Sequence, residues 1–204
     1  GYAWGYIGSC IPFVISLALV LLYDKIGLSF NVAMVAAFAV TGIWWLCMSL
    51  PLMRAYERKH FVEPDRHPLR DSVLRIGQTL KDMRSEPQVL LFVVSFFLYI
   101  DGVYTIIDMA TAYGEALGLD STGLLLALLV TQIVAFPFAL LFGRLAQQHT
   151  TEKLITVCIA AYVLIAIYAV FLRTQVQFWI LAVCVGMFQG GIQALSRSHF
   201  ARIV

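Results

Sequence analysis

Between Ile26 and Met53 no Asp, Glu, Lys or Arg interrupts the chain, and the same holds between Ser121 and Gly143. Each stretch reaches the ~20 residues that a helix needs to cross the hydrocarbon of a bilayer. Six apolar segments of this kind can be placed, near 7–23, 30–53, 89–112, 124–142, 154–172 and 176–195. Composition points the same way. The chain is 61% hydrophobic and 13% charged, whereas soluble domains carry about 25% charged residues and could not hide this much apolar surface in one small core. An all-α integral membrane protein is predicted, because a segment in lipid must satisfy its own backbone polar groups.

Short turns separate most of the segments, and only one connection is long, from Arg54 to Gln88. With an even number of spans between them, the first residues, the 54–88 loop, the 143–153 turn and the tail after 195 share one side. That side holds Arg54, Arg58, Lys59, Arg66, Arg70, Arg75, Lys81, Arg84, Arg144, Lys153, Arg197 and Arg202, and the other holds only Lys25 and Arg173. Such an asymmetry predicts that the long loop is cytoplasmic. Within it, Leu69, Val73, Ile76, Leu80 and Met83 recur at helical spacing, with Arg70, Asp71, Arg75, Lys81 and Asp82 opposite. Pro68 opens this pattern and Pro87 closes it. A short amphipathic helix on the membrane surface or under the bundle is expected, its charges either solvating it or meeting lipid headgroups.

The third segment contains Tyr99-Ile-Asp101-Gly102-Val-Tyr104-Thr105-Ile-Ile-Asp108. An aspartate at membrane depth costs about 3 kcal/mol or more, and it persists where it faces a polar cavity or a partner. Helical spacing puts Asp101, Tyr104, Thr105 and Asp108 on one face and turns Val103, Ile106 and Ile107 elsewhere. Asp101 sits near the middle of the span, where it can take up a proton or hold a substrate amine. Asp108 lies about 10 Å further along the helix, nearer the aqueous edge. An interhelical ion pair or a cap is the structural alternative for both. Gln132, ahead of Pro137, and Gln189 and Gln193, one turn apart, are further polar groups at membrane depth. Interhelical hydrogen bonding and substrate contact are both open to them.

Small residues mark packing positions. Gly1, Gly5 and Gly8 form one helical stripe, suited to helix packing or to a rocking contact, and Gly186 and Gly190 repeat the small-xxx-small spacing. Cys10, Cys47, Cys158 and Cys184 lie in apolar runs with no C-x-x-C pair, which argues against a disulfide framework or a zinc site. The chain opens on Gly-Tyr-Ala-Trp and stops at Ala-Arg-Ile-Val, so a piece of a longer protein is expected.

Gly143-Arg144-Leu145-Ala146, followed by Glu152-Lys153-Leu154, resembles the cytoplasmic turn motif of major facilitators, Gly-x-Leu-Ala-Asp-Arg-x-Gly-x-Lys/Arg. Here Gln147, Gln148 and Thr150 replace the motif's Asp, Arg and second Gly. Gly-Tyr-Ala-x-Gly-Tyr-Ile-Gly at the start, Tyr99-Ile-Asp101-Gly102-Val-x-Thr105-Ile and Gly190-Gly-Ile-Gln-Ala-Leu-Ser-Arg-Ser are similar to the vacuole-effluxer-like branch of the major facilitator superfamily, also called the unknown major facilitator family. The resemblance implies a six-span fragment of a twelve-span, two-bundle fold. Residues 1–53 would be the last two spans of the N-terminal bundle, 54–88 the cytoplasmic linker, and 89–204 the first four spans of the C-terminal bundle. Gly143 and Arg144 would then belong to gating. It also implies a secondary transporter working by alternating access. In fungal members it implies export of amino acids from the vacuole.

On this reading the chain is not an enzyme, needs no cofactor or metal, and has as partners a small solute, possibly protons, the bilayer and the remaining spans of its parent. No nucleic acid is expected. The bacterial inner membrane is the expected location, or a vacuolar membrane in a eukaryote. A non-transporting scaffold or receptor is the alternative. An intramembrane aspartyl protease needs two carboxylates sharing a proton, which Asp101 and Asp108, two turns apart on one helix, cannot do.

Overall fold

The computed structural model describes residues 2–57 and 68–203. Gly1, and with it Arg58, Lys59 and Arg66 of the basic loop, lie outside the described residues. The fold consists of α1 (Tyr2–Leu21), a single turn α2 (Tyr23–Ile26), α3 (Phe30–Ala55), α4 (Pro68–Ser85), α5 (Pro87–Ala116), α6 (Ser121–Gln148), α7 (Thr151–Val170) and α8 (Gln175–Ile203). Among the described residues six helices are long and apolar enough to span a bilayer, namely all but α2 and α4. The six expected segments are all present, and the protein is a multi-pass integral membrane protein. The helices outrun the apolar segments because a backbone ladder continues into polar flanks. α6 runs on to Gln148 and α8 to Ile203, so Gly143 and Arg144 sit in the last turns of α6 and not in a turn after it.

Local chemistry sets the boundaries. Gly27 closes α2 with φ +75°, a left-handed conformation that glycine adopts without Cβ strain. Ser29 then caps α3 by accepting from Val32 N–H. At the other hairpin Gly118 has φ +74° and Asp120 accepts from Gly123 N–H at 2.7 Å, starting α6. Pro12, Pro51 and Pro137 lie inside α1, α3 and α6 without dividing them.

α8 is the centre of the molecule and packs against α6, α7, α5 and α1. On α6, Ala127, Thr131, Ala135 and Ala139 repeat every four residues and are all buried. They face Ala182, Gly186 and Gly190 on α8. A Cβ at Gly186 would stand 2.7 Å from the Thr131 carbonyl oxygen, and one at Gly190 would stand 2.8 Å from Ala139 Cβ. Glycine is therefore what lets the two backbones approach, as van der Waals packing in lipid requires. Thr131 Oγ1–H lies within reach of the Ala127 carbonyl at 3.0 Å and, across the seam, the Ala182 carbonyl at 3.2 Å. Behind α8, Cys158, Tyr162 and Ile165 of α7 complete the core with Leu124, Phe178 and Ile192.

Among the described residues, the close approach expected at the opening glycines is not made at Gly5 or Gly8. A Cβ at Gly5 or Gly8 would meet nothing within 4 Å. Instead Ala3 and Tyr6 of α1 pack on Ala135 and Ala139 of α6, and Ser16 donates to the Ala37 carbonyl of α3 at 3.3 Å. Among the described residues α3 touches only α1 and α2.

Contacts at the helix ends sort the spans into two sides. At the basic side Arg202 Nη1 donates to Thr151 Oγ1, joining the end of α8 to the start of α7. Phe92 packs on His199 and Phe200, adding the start of α5. Tyr99 donates to Ser196 Oγ at 2.6 Å, because the serine's own hydrogen goes to the Ile192 carbonyl. At the opposite side Tyr113 donates to the Ala169 carbonyl, joining the far ends of α5 and α7. For α5, α7 and α8 this alternation agrees with the partition of lysines and arginines.

Candidate functional site

α5 turns its apolar side inward. Val103 is 2% exposed and packs in the core with Ile106 and Ile107 beside it. The 3.6-residue turn then leaves Asp101, Tyr104, Thr105 and Asp108 on the outer side, all exposed. The described residues of this chain do not cover that strip.

At Asp108 the strip enters a cleft of about 350 Å³ lined by Ser9 and Phe13 of α1, Ile107, Asp108 and Thr111 of α5, and Leu128 and Gln132 of α6. Among the described residues α1 and α5 make no direct helix–helix contact, and α6, which packs on both, lies between them as the floor. Two of the expected residues, Asp108 and Gln132, are thus brought together from different helices. Asp101, Tyr104 and Thr105 do not line this cleft and continue along α5 toward the basic side.

Two lining residues went unnoticed in the sequence. Thr111 is three positions after Asp108, a spacing that helical periodicity could have picked out. Ser9 had no such signal, because only the packing of α1 on α6 brings it there.

The remaining glutamines sit elsewhere. Gln189 and Gln193 are buried at 7% and 8% exposure and line no part of the cleft. Tyr6 Oη–H donates to Gln193 Oε1 at 3.3 Å, a bond between residues 187 apart in sequence. That bond is interhelical, joining α1 to α8. Gln189 Oε1 and Tyr162 Oη are buried without a hydrogen-bond partner among the described residues. Gly143 and Arg144 are exposed, with nothing pressed against the glycine.

Chemically, the cleft offers a carboxylate, an amide that both donates and accepts, and two hydroxyls. Phe13, Ile107 and Leu128 supply apolar walls for a carbon skeleton. Small-molecule sites have this composition, a few placed polar groups in an apolar cavity. The carboxylate and amide can hold a cationic or donor group. Among the described residues no group of His, Cys, Asp and Glu is arranged to hold a metal ion.

The family described as "Vacuole effluxer Atg22 like" matches residues 1–204. The chain is similar to "Uncharacterized MFS-type transporter YxiO" of Bacillus subtilis (strain 168), at 43% identity over 206 residues, covering all of this chain and 48% of that protein. It is also similar to "Autophagy-related protein 22" of Yarrowia lipolytica, at 23% identity over all of this chain and 39% of that protein. The protein of the same name in Vanderwaltozyma polyspora is 25% identical, with 44% of it covered. The chain therefore spans about half the length, or less, of these relatives. No solved structure matches it.

Proposed function

Because the chain belongs to the vacuole effluxer Atg22-like family, matched from end to end, we propose that it is the middle part of a secondary transporter that moves a small solute by alternating access. Residues 1–53 supply the last two spans of one bundle, 54–88 the linker and 89–204 the first four spans of the other. The way α1 and α3 lean on the other helices through α1 alone supports that division. The observation that carries the reading is the cleft joining Asp108 and Gln132. It lies between α1 and α5, across the junction of the proposed bundles, where a relative movement of the two would open or close it.

In this reading Asp108, Gln132, Ser9 and Thr111 hold the solute's polar groups. Asp101, with Tyr104 and Thr105, continues a polar path along α5 and carries a proton or a second amine contact. Amino acids are the first solutes to test, because two relatives are named for the autophagy-related protein of fungi and the resemblance implies such cargo. The similarity to the Bacillus protein supports a bacterial inner membrane as the location.

The test is initial uptake and efflux by the full-length parent in proteoliposomes, across a panel of amino acids, peptides and small metabolites, with internal pH followed by a trapped dye. Asp108→Asn keeps the shape but removes the charge. Loss of a charge-assisted hydrogen bond is worth about 1.5–3 kcal/mol, so the rate should fall about 10- to 150-fold. Asp101→Asn should uncouple any proton movement from solute movement. Wild-type rates and coupling in both variants, at matched membrane levels, would overturn the assignment of the strip. Saturable binding with no translocation would favour a receptor.

A further inference from the structure

We propose that α4 is a docking surface for anionic phospholipid headgroups on the same membrane that the chain spans. α4 ends at Ser85, and only Glu86 separates it from Pro87, the first residue of the spanning helix α5. Among the described residues it packs against α5 and no other helix. The end of α4 is thus held at the membrane boundary by the chain itself.

Its residues are unevenly distributed around the axis. At about 100° per residue, Val73, Ile76 and Met83 fall within an arc of about 80°. Val73 is 68% exposed and Ile76 60%, and Met83 is partly buried, so most of this apolar stripe is left open by the described residues. Along one edge of the stripe Arg84, Arg70 and Lys81 occupy an arc of about 60° with no acidic residue among them. Beyond the other edge Arg75 lies beside Asp82, with Asp71 at the neighbouring helical position, so that side has no excess of positive charge. A helix with an apolar stripe and one basic edge is built to lie flat, its apolar residues below the headgroups and its cations level with the phosphates. Charge complementarity selects the occupant, since the predicted side is the cytoplasmic leaflet, which is negatively charged. A neutral or cationic partner would leave that edge without counter-charge.

The test uses the full-length protein with its native cysteines replaced and a polarity-sensitive fluorophore on Val73→Cys, in nanodiscs of phosphatidylcholine alone or mixed with phosphatidylglycerol. Blue-shifted emission, quenched by nitroxide-labelled lipid, is expected only with phosphatidylglycerol, and a label on Gln78→Cys should stay water-like in both. Each cation near an anionic surface strengthens docking about fivefold, so Arg70→Gln, Lys81→Gln and Arg84→Gln together should weaken it about a hundredfold. Arg75→Gln should change little. Equal emission in the two lipids, or no response to the triple substitution, would overturn the proposal. A blue shift that persists in detergent without lipid would also overturn it, because α4 would then be docked beneath the bundle.

Discussion

Replacing Gly190 with Ala adds one methyl group inside the close-packed α6–α8 seam. Its Cβ would stand 2.8 Å from Ala139 Cβ, 3.1 Å from the Ala135 carbonyl oxygen and 3.2 Å from Tyr6 Cε2. Ordinary contact begins near 3.4 Å, leaving a shortfall of about 0.6 Å against Ala139. Neither an alanine Cβ nor a backbone carbonyl can rotate away, so the two helices must part. Overpacking of this kind costs about 1–3 kcal/mol, or about 5- to 150-fold in the unfolding equilibrium. Gly143→Ala is the control. Nothing lies within 4 Å of its new Cβ, and alanine favours a helix by up to about 1 kcal/mol over glycine. The readout is reversible unfolding of the full-length protein in mixed detergent micelles. Gly190→Ala combined with Ala139→Gly removes the shortest contact but leaves the other two, so it should recover part of the loss. If Gly190→Ala unfolds no more readily than Gly143→Ala, or the second substitution restores nothing, the close seam is not what holds α8 against α6.

Single cysteines at Glu57 and Thr122, in a background without native cysteines, should react with an impermeant maleimide from opposite sides of the membrane. Labelling from the same side would refute the six-span topology. Tyr6→Phe deletes the α1–α8 hydrogen bond of 3.3 Å and should cost about 0.5–1.5 kcal/mol in the same unfolding assay; a larger loss would mean that Tyr6 anchors more than Gln193. Asp120→Ala removes the cap of α6 and should cost about 0.5–2 kcal/mol, whereas Asp120→Asn should retain most of it. Equal loss in both variants would place the role of Asp120 in its charge and not in its cap.

Element identity was legible because lipid leaves few options. A run free of charge for 20 residues, as at 121–143, has to be a helix if it crosses a membrane. That Val103 and the pair Asp101 and Asp108 lie on different faces of α5 followed from the same helical periodicity, but which face turns inward came only from the packing. Partners were less legible. Gly5 and Gly8 have the same spacing logic as Gly186 and Gly190, yet only the second pair receives a neighbouring backbone. Small residues permit close approach without specifying which helix will take it. The cleft was half visible for a related reason. Thr111 shares its helix with Asp108, whereas Ser9 comes from nearly a hundred residues away and joins only through tertiary packing. The ends of α6 and α8 were set too short because hydropathy falls where the hydrogen-bond ladder does not.

The doubly bonded hydroxyl of Thr131 bears on how the protein is made. Its acceptor across the seam, Ala182, lies 51 residues further along the chain. At a synthesis rate of about 5–20 residues per second, α6 has left the ribosome for about 3–10 s before that acceptor exists. During that interval the carbonyl of Ala127, on the same helix, keeps the hydroxyl satisfied, so α6 can enter the lipid alone. A side chain at position 131 that relied wholly on α8, such as an asparagine, would have to wait in hydrocarbon with its polar atoms unmet. The seam can therefore carry a polar contact without exposing the nascent chain to a stalled or mis-inserted intermediate.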